Sequence, residues 1–285
     1  MFNLEYQLII TLPIGEQIII PTEFTCSFSI SRQNMSSSAN NATFSVYNLN
    51  PTNRNKIFKD AYNPSRYIRL EFFAGYSGQI SSIYRGSIVQ AQTKPSGNDN
   101  ILEIETQDGM FDSITTQSNV SFPAGTSRRE VAEKLVGDFP NVEMGGAGKA
   151  IDGTYKRPYV TEGNTYDALK NVCNANLYID GETIHFLEDD EALKAGATVI
   201  SSETGLASVA KQDTTLKIET KILTLGATVG SMVELISTRN PIYNGQYKVV
   251  GVEHNGTISE GVSSATNSLI TVLDTNTRFG ATELV

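Results

Sequence analysis

Side chains able to do chemistry are few in this chain and widely scattered. In 285 residues there are two histidines, His185 and His254, and two cysteines, Cys26 and Cys173. A thiol nucleophile needs a base within hydrogen-bond reach, and Cys173 with His185 is the pairing that could supply one. Spacing alone does not bring them together, because they fall in different elements, and ordinary buried or surface roles suit both. Glu103 and Glu105 share one strand face, as a pair of glycosidase carboxylates does. Hydrophobic residues alternate with them, which makes that face the wet side of a half-buried strand. Glu188, Asp189, Asp190 and Glu191 lack the alternating spacing and the glycine of a calcium loop, so the run reads as a solvated linker. Gly145-Gly146-Ala147-Gly148 has no clear strand leading in and no Lys-Ser/Thr behind it, as a phosphate loop requires. It reads as a flexible surface loop. No HExxH, GxSxG or GxxxxGK[ST] occurs. The expectation is a protein with no catalytic residue, no metal site and no cofactor.

The elements that would position such groups are mostly strands. Residues 232–255, MVELISTRNPIYNGQYKVVGVEHN, read as two strands around a compact connection. Val233 and Leu235 lie two apart, as do Lys248, Val250, Val252 and His254, while Val249 takes the other face. Asn244-Gly245 supplies a turn because both tolerate positive φ, and Pro241 stiffens the approach. Near the other end Phe24, Cys26, Phe28 and Ile30 alternate with Thr25, Ser27 and Ser29, a period of two that predicts a half-buried strand. Residues 4–12, 17–20, 44–47, 66–75, 84–92 and 101–107 carry further strand patterns, with a sharp turn at 94–99, KPSGND. Asn50-Pro51 predicts a short helix to about Lys59, with Asn50 as cap and Pro51 in the first turn.

The middle differs. Ser127 and Glu130 form a capping box, followed by Val131, Leu135 and Val136 on one helical face. A second short helix is predicted at 166–174, capped by Asn164 or Thr165, and a hairpin at 177–187 turns at Asp180-Gly181. These patterns predict a mainly β protein with a small α/β insertion: two β-rich bodies, each a barrel or a sandwich, at 1–118 and 198–285, flanking a middle module, 121–190. The polar stretch 35–43, MSSSANNAT, reads as an exposed connection or a loop ordered by assembly, and the tail 276–285 as frayed or as an ordered partner contact.

Composition excludes several classes. Net charge is −9, and no Lys/Arg run offers a grip on a DNA backbone. No apolar run approaches a membrane span. The N-terminus, MFNLEYQLIITLPIGEQI, lacks the basic start and hydrophobic core of a secretory signal, which predicts synthesis in a reducing cytoplasm with both thiols free.

The order of motifs is more informative than any one of them. SISRQNMSSSANNATFSVYNLNPTNRNKI (29–57), IRLEFFAGYSG (68–78), IYRGSIVQA (83–91), LEIETQDG (102–109) and VGSMVELISTRNPIYNGQYKVVGVEHNG (229–256) together resemble the baseplate hub proteins of tailed bacteriophages. The resemblance covers nearly the whole chain in order and is weakest at 145–151. It implies a structural virion protein of the tail baseplate, made in the host cytoplasm. It implies a homotrimer whose two related β-barrel domains per chain make a pseudo-sixfold ring. One face would meet the six-fold tail tube and the other the three-fold spike or tail-tip protein, with other baseplate proteins around it. DNA would pass through an acidic lumen without specific binding. Interface contacts are expected at exposed turns: Asn48, Asn50 and Arg54 near the first helix, Tyr76 at the next turn, and Asn240, Tyr243, Asn244 and Gly245 at the last hairpin. Two other classes compete. A carbohydrate-binding tail module would be a monomer with a shallow aromatic pocket, and a peptidase or wall hydrolase would use Cys173 or Glu103 and Glu105.

Overall fold

The computed structural model describes residues 4–33, 40–61, 66–194, 196–260, 265–273 and 283–284. Most of the 35–43 stretch and of the 276–285 tail lies outside the described residues. The chain opens with strands β1 (Leu4–Thr11), β2 (Gln17–Pro21), β3 (Cys26–Gln33) and β4 (Asn41–Tyr47), then helix α1 (Pro51–Ile57), then β5 (Arg69–Tyr76), β6 (Gln79–Ser96) and β7 (Asp99–Gln107). The middle holds α2 (Met110–Thr115), β8 (Gln117–Phe122), α3 (Arg128–Val136), β9 (Glu143–Ala147), β10 (Tyr159–Asn164), α4 (Thr165–Val172), β11 (Tyr178–Asp180) and β12 (Thr183–Phe186). The last part runs β13 (Glu191–Ala192), β14 (Thr198–Ser201), β15 (Leu206–Gln212), β16 (Thr215–Thr220), β17 (Met232–Ile236), β18 (Gly245–Ile258), β19 (Ala265–Leu273) and β20 (Glu283–Leu284). Among the described residues no helix is long and apolar enough to cross a membrane.

Local chemistry sets these elements. Burial alternates along β1, β3 and β4, with Cys26, Phe28 and Ile30 inward, because successive side chains of a strand take opposite faces. Asn50 Oδ1 accepts from Asn53 N at 2.8 Å and starts α1, with Pro51 in its first turn. Ser127 Oγ accepts from Glu130 N at 3.1 Å and starts α3, and Asn164 Oδ1 accepts from Asp167 N at 3.0 Å at α4.

The predicted pair of closed barrels is not what forms. Thirteen of the described strands make one open sheet, in the order β15-β16-β19-β18-β3-β4-β7-β6-β5-β1-β2, with β17 also on β18 and β14 on β17. The reason lies in β18, which is 14 residues long. Residues 245–248 pair with β17, and residues 251–258 pair with β3. Closure of the first half would need the outer side of β3 to pair with β2. That side is taken by β18, so β2 stays an edge, and β15 is the edge at the far end. Gly256 permits the close packing here, since a Cβ on it would lie 2.4 Å from Thr266 Cγ2 and 3.1 Å from Phe28 Cζ.

The Asn244-Gly245 turn also comes out longer than predicted. A short 3-10 turn, Pro241–Tyr243, intervenes, and Asn244 is extended with φ −67. Asn244 Oδ1 accepts from Ser237 N at 2.6 Å and Ser237 Oγ from Asn240 N at 3.1 Å, so side chains close the wider loop in place of a tight turn.

Three apolar cores result. The first centres on Phe72, whose ring lies 4.9 Å from Phe28, 5.1 Å from Phe44 and 5.9 Å from Tyr6. The second packs α3 and α4 on Ile184 and Phe186. The third joins Tyr178 and Leu187 to strands of the last sheet. Leu223 and Ile258, from the end of the chain, are buried in the first core. Phe72→Ala is therefore expected to lower the unfolding free energy by about 3–5 kcal/mol. A urea titration measures this, and a loss below about 1 kcal/mol would show that neighbouring rings refill the space.

Candidate functional site

Among the described residues no hydrogen bond joins Cys173 to His185. Cys173 is buried, its Sγ donates to Leu169 O at 3.1 Å, and burial pushes the thiol up to about 11. A thiol so raised is no nucleophile at neutral pH. His185 Nδ1 accepts instead from Gly146 N at 3.0 Å, and its ring stacks on Tyr178 at 5.1 Å. His254 is buried with Nδ1 2.8 Å from Ser268 Oγ, and burial, helped by Arg32, lowers it to about 3, so it is neutral. Glu103 is ion-paired with Lys94, and Glu105 is exposed. Among the described residues no group of three or more His, Cys, Asp or Glu side chains is placed to hold a metal.

Two stretches read as solvated are built into the structure. The 145–148 glycines are not a flexible loop, because β9 pairs in parallel with β12. Glycine is needed at 148, where a Cβ would lie 2.2 Å from Glu191 Oε2. The acidic run is likewise pinned. Glu191 is buried, and its carboxylate accepts from Lys149 N at 2.8 Å and Glu188 N at 2.9 Å. Beneath it, buried Lys248 donates to Glu188 O at 2.7 Å and Asp189 O at 3.2 Å. Burial lowers the Lys248 ammonium to about 8 against the pull of Asp189, Glu191 and Asp190. This clasp fastens the end of the middle module to β18.

A second clasp fastens the same module to the first half. Asp180 pairs with Thr183, so the β11–β12 loop is Gly181-Glu182, with φ of 63 and 61. A left-handed glutamate costs on the order of 1–2 kcal/mol. Asp108 offsets this by accepting both loop N–H groups, Gly181 at 2.6 Å and Glu182 at 2.8 Å. Tyr67 OH donates to Glu182 Oε1 at 2.6 Å, and Arg69 Nη2 lies 2.7 Å from Glu182 Oε2. The latter is an ion contact off the hydrogen-bond line. Arg32 Nη1 lies 3.3 Å from Asp180 Oδ1, and Asn40 Nδ2 donates to Ile179 O at 2.6 Å. Nothing local marks Asp108-Gly109 as more than a turn; a loop 73 residues away makes its carboxylate a joint.

The expected contact residues fall into two groups. Asn48, left-handed at φ 56, bonds Asp99 Oδ1 at 2.8 Å and Asn100 N at 3.0 Å, beside Asn50 and half-buried Arg54. Near them Phe58 is 51% exposed, and Lys56 Nζ pairs with Glu16 at 2.5 Å, which joins α1 to the β1–β2 turn and its exposed Ile14. Asn240, Tyr243, Asn244 and Gly245 share the other loop, whose most exposed apolar residue, Ile242 at 86%, the sequence reading missed. Tyr76 belongs to neither group. Its hydroxyl accepts from Leu223 N at 2.8 Å and seats that leucine in the first core.

The fold is shared with known structures. The structure is similar to the tail protein from Neisseria meningitidis MC58, with a TM-score of 0.61 at 11% identity over 98% of this chain and 99% of that one. The 43 kDa tail protein of prophage MuSo2 from Shewanella oneidensis gives a TM-score of 0.60 at 7% identity over 97% and 99%. An E. coli component of the type VI secretion system, described as structurally similar to the T4 bacteriophage tail proteins gp27 and gp5, gives 0.55 at 10% over 93% and 76%. The fold is that of tail proteins. A comparison with curated protein sequences found no match. Residues 7–258 match the family described as baseplate hub gp41, and the chain belongs to that family. It is a structural component of the phage tail baseplate in the virion and works among other tail and baseplate components.

The Asp108 clasp has a pH signature. Burial first, then Asp180, raise Asp108 from 3.8 to about 7, while the two loop N–H bonds oppose the shift. A carboxyl raised on folding adds stability that is full below its unfolded pKa and is lost as pH rises through the folded one. Asp108→Asn keeps a neutral side chain. The melting temperature of the native chain relative to this variant is therefore expected to fall between about pH 4 and pH 8. A difference that stays flat across that range would show that Asp108 is ionised throughout.

Proposed function

We propose that this chain is a non-enzymatic hub subunit that assembles as a trimer, forming a pseudo-sixfold ring between a six-fold tail tube and a three-fold spike or tail-tip protein. The observation that carries this is β18, which joins a β-rich half from each end of the chain into one sheet. Three chains with two such halves each present six β-rich units, which is how a threefold assembly meets a sixfold one. In this reading residues 1–118 and 198–285 are the ring-forming units, and 121–190 is a module held on them by the Asp108 and Lys248 clasps.

Contacts to neighbours fall on the two exposed groups, Asn48, Asn50 and Arg54 with Phe58, and Asn240, Tyr243, Asn244 and Gly245 with Ile242. Tyr76 acts from behind by holding Leu223. The net charge of −9 suits a lumen through which DNA passes without sticking, and DNA is not held by specific contacts. No bond is made or broken: Cys173 Sγ and His185 Nδ1 are each engaged by a backbone partner.

The mass of the purified chain in solution, alone and with its spike neighbour, tests this. A trimer is expected, either of the chain alone or on the threefold axis of the spike. A chain that stays monomeric in both mixtures and binds a glycan overturns the ring and favours a surface-binding module.

A further inference from the structure

The last part of the sheet does not close on itself. Its strands run β14, β17, β18, β19, β16, β15, and residues 202–205 link the first of these directly to the last. Successive strands joined by so short a link usually pair. Among the described residues β14 and β15 do not, and β15 pairs with β16 alone. A cleft of about 130 Å³ lies instead between residues 206–209 of β15 and the loop at 237–240 that follows β17.

The lining of this cleft is chemically one-sided. Leu206 and Val209 are half-buried against the third core and give it an apolar floor. Lys221 and Arg239 line it too, both exposed, and neither has an ion pair or side-chain hydrogen bond among the described residues. Ser237 and Thr238 add polar groups. Among the described residues one acid is hydrogen-bonded to a lining side chain: Glu219 Oε2 accepts from Ser208 Oγ at 3.0 Å. Two cations without an ion pair among the described residues thus line one cleft of a chain whose net charge is −9.

We propose that this seam docks an extended acidic segment of another tail protein, which lies along β15 as an added strand and sets carboxylates against Lys221 and Arg239. The argument joins three observations. An edge strand carries unpaired N–H and C=O groups along its length, and an extended peptide is the ligand that matches them. The cleft is too small for a helix but takes the side chains of one strand. The two cations select carboxylates over apolar or basic side chains at those positions. This names the chemistry of a partner's contact, and it rests on the hub reading only in calling that partner a tail protein.

Fluorescence polarisation of the full chain with a short labelled peptide of alternating glutamate and valine tests the proposal. Saturable binding is expected, with slowed hydrogen exchange in β15. The double variant Lys221→Glu, Arg239→Glu is expected to weaken binding at least about tenfold. Both side chains are exposed, so the variant should melt with the native chain, which separates lost binding from lost folding. Absence of saturable binding, equal binding of a lysine–valine peptide or of oligothymidylate, or slowed exchange only outside β15 overturns the proposal. So does a double variant whose trimer falls apart, because the seam would then hold a second copy of this chain. A chain that never trimerises yet binds the acidic peptide through β15 overturns the ring and supports the seam.

Discussion

The subunit depends on one contact, the antiparallel pairing of β3 with β18 from Gly251↔Gln33 to Ile258↔Cys26. Each backbone hydrogen bond there contributes only about 0.5–1.5 kcal/mol net. The larger effect comes from where the side chains go. Ile258 enters the first core with Cys26 and Phe28, while Val249 and Val252, earlier on the same strand, are buried in the third. A single strand that completes two cores cannot move with one half and leave the other. The sheet order, the unclosed edges and the seating of Leu223 beneath Tyr76 all follow from that sharing.

Buried charge locates the middle module on this frame. Asp108, Glu191 and Lys248 each lose hydration and recover it through backbone partners in a distant segment. Such groups add little net stability, since desolvation offsets most of the gain. Their effect is on position. A shifted module would leave a carboxylate or an ammonium buried without partners, which costs several kcal/mol. The apolar cores make the module stable, and the three polar joints restrict it to one pose.

What the sequence could disclose follows the range of the interactions. Asn50, Ser127 and Asn164 were legible as helix caps because their partners lie three residues away. The alternation of Cys26, Phe28 and Ile30 was legible because a strand's period is local. The double pairing of β18 was not, because nothing in Gly245–Ile258 says that two different strands will share its one side, and closed barrels were the natural reading of two β-rich ends. Lys248 fits a strand alternation as well as Val250 does, and only the fold shows that it points at the 188–189 carbonyls. The 145–148 glycines looked like slack chain because what they make room for, Glu191 and His185, lies about forty residues on. The two exposed loops proposed as contacts carry turn residues that the sequence shows, whereas Ile242 carries no turn signal.

The same long-range pairing has a consequence for biosynthesis. Cys26 meets Ile258, 232 residues further along the chain. Until residues 251–258 are made, β3 has β4 as its sheet neighbour and an open outer edge. Its final partner, residues 251–258, emerges only after the whole middle module has been made. Pairings that span so much of a chain form slowly, and an open edge in the meantime invites pairing between nascent chains. Until residue 258 is made, the β3 edge is thus open to such mispairing.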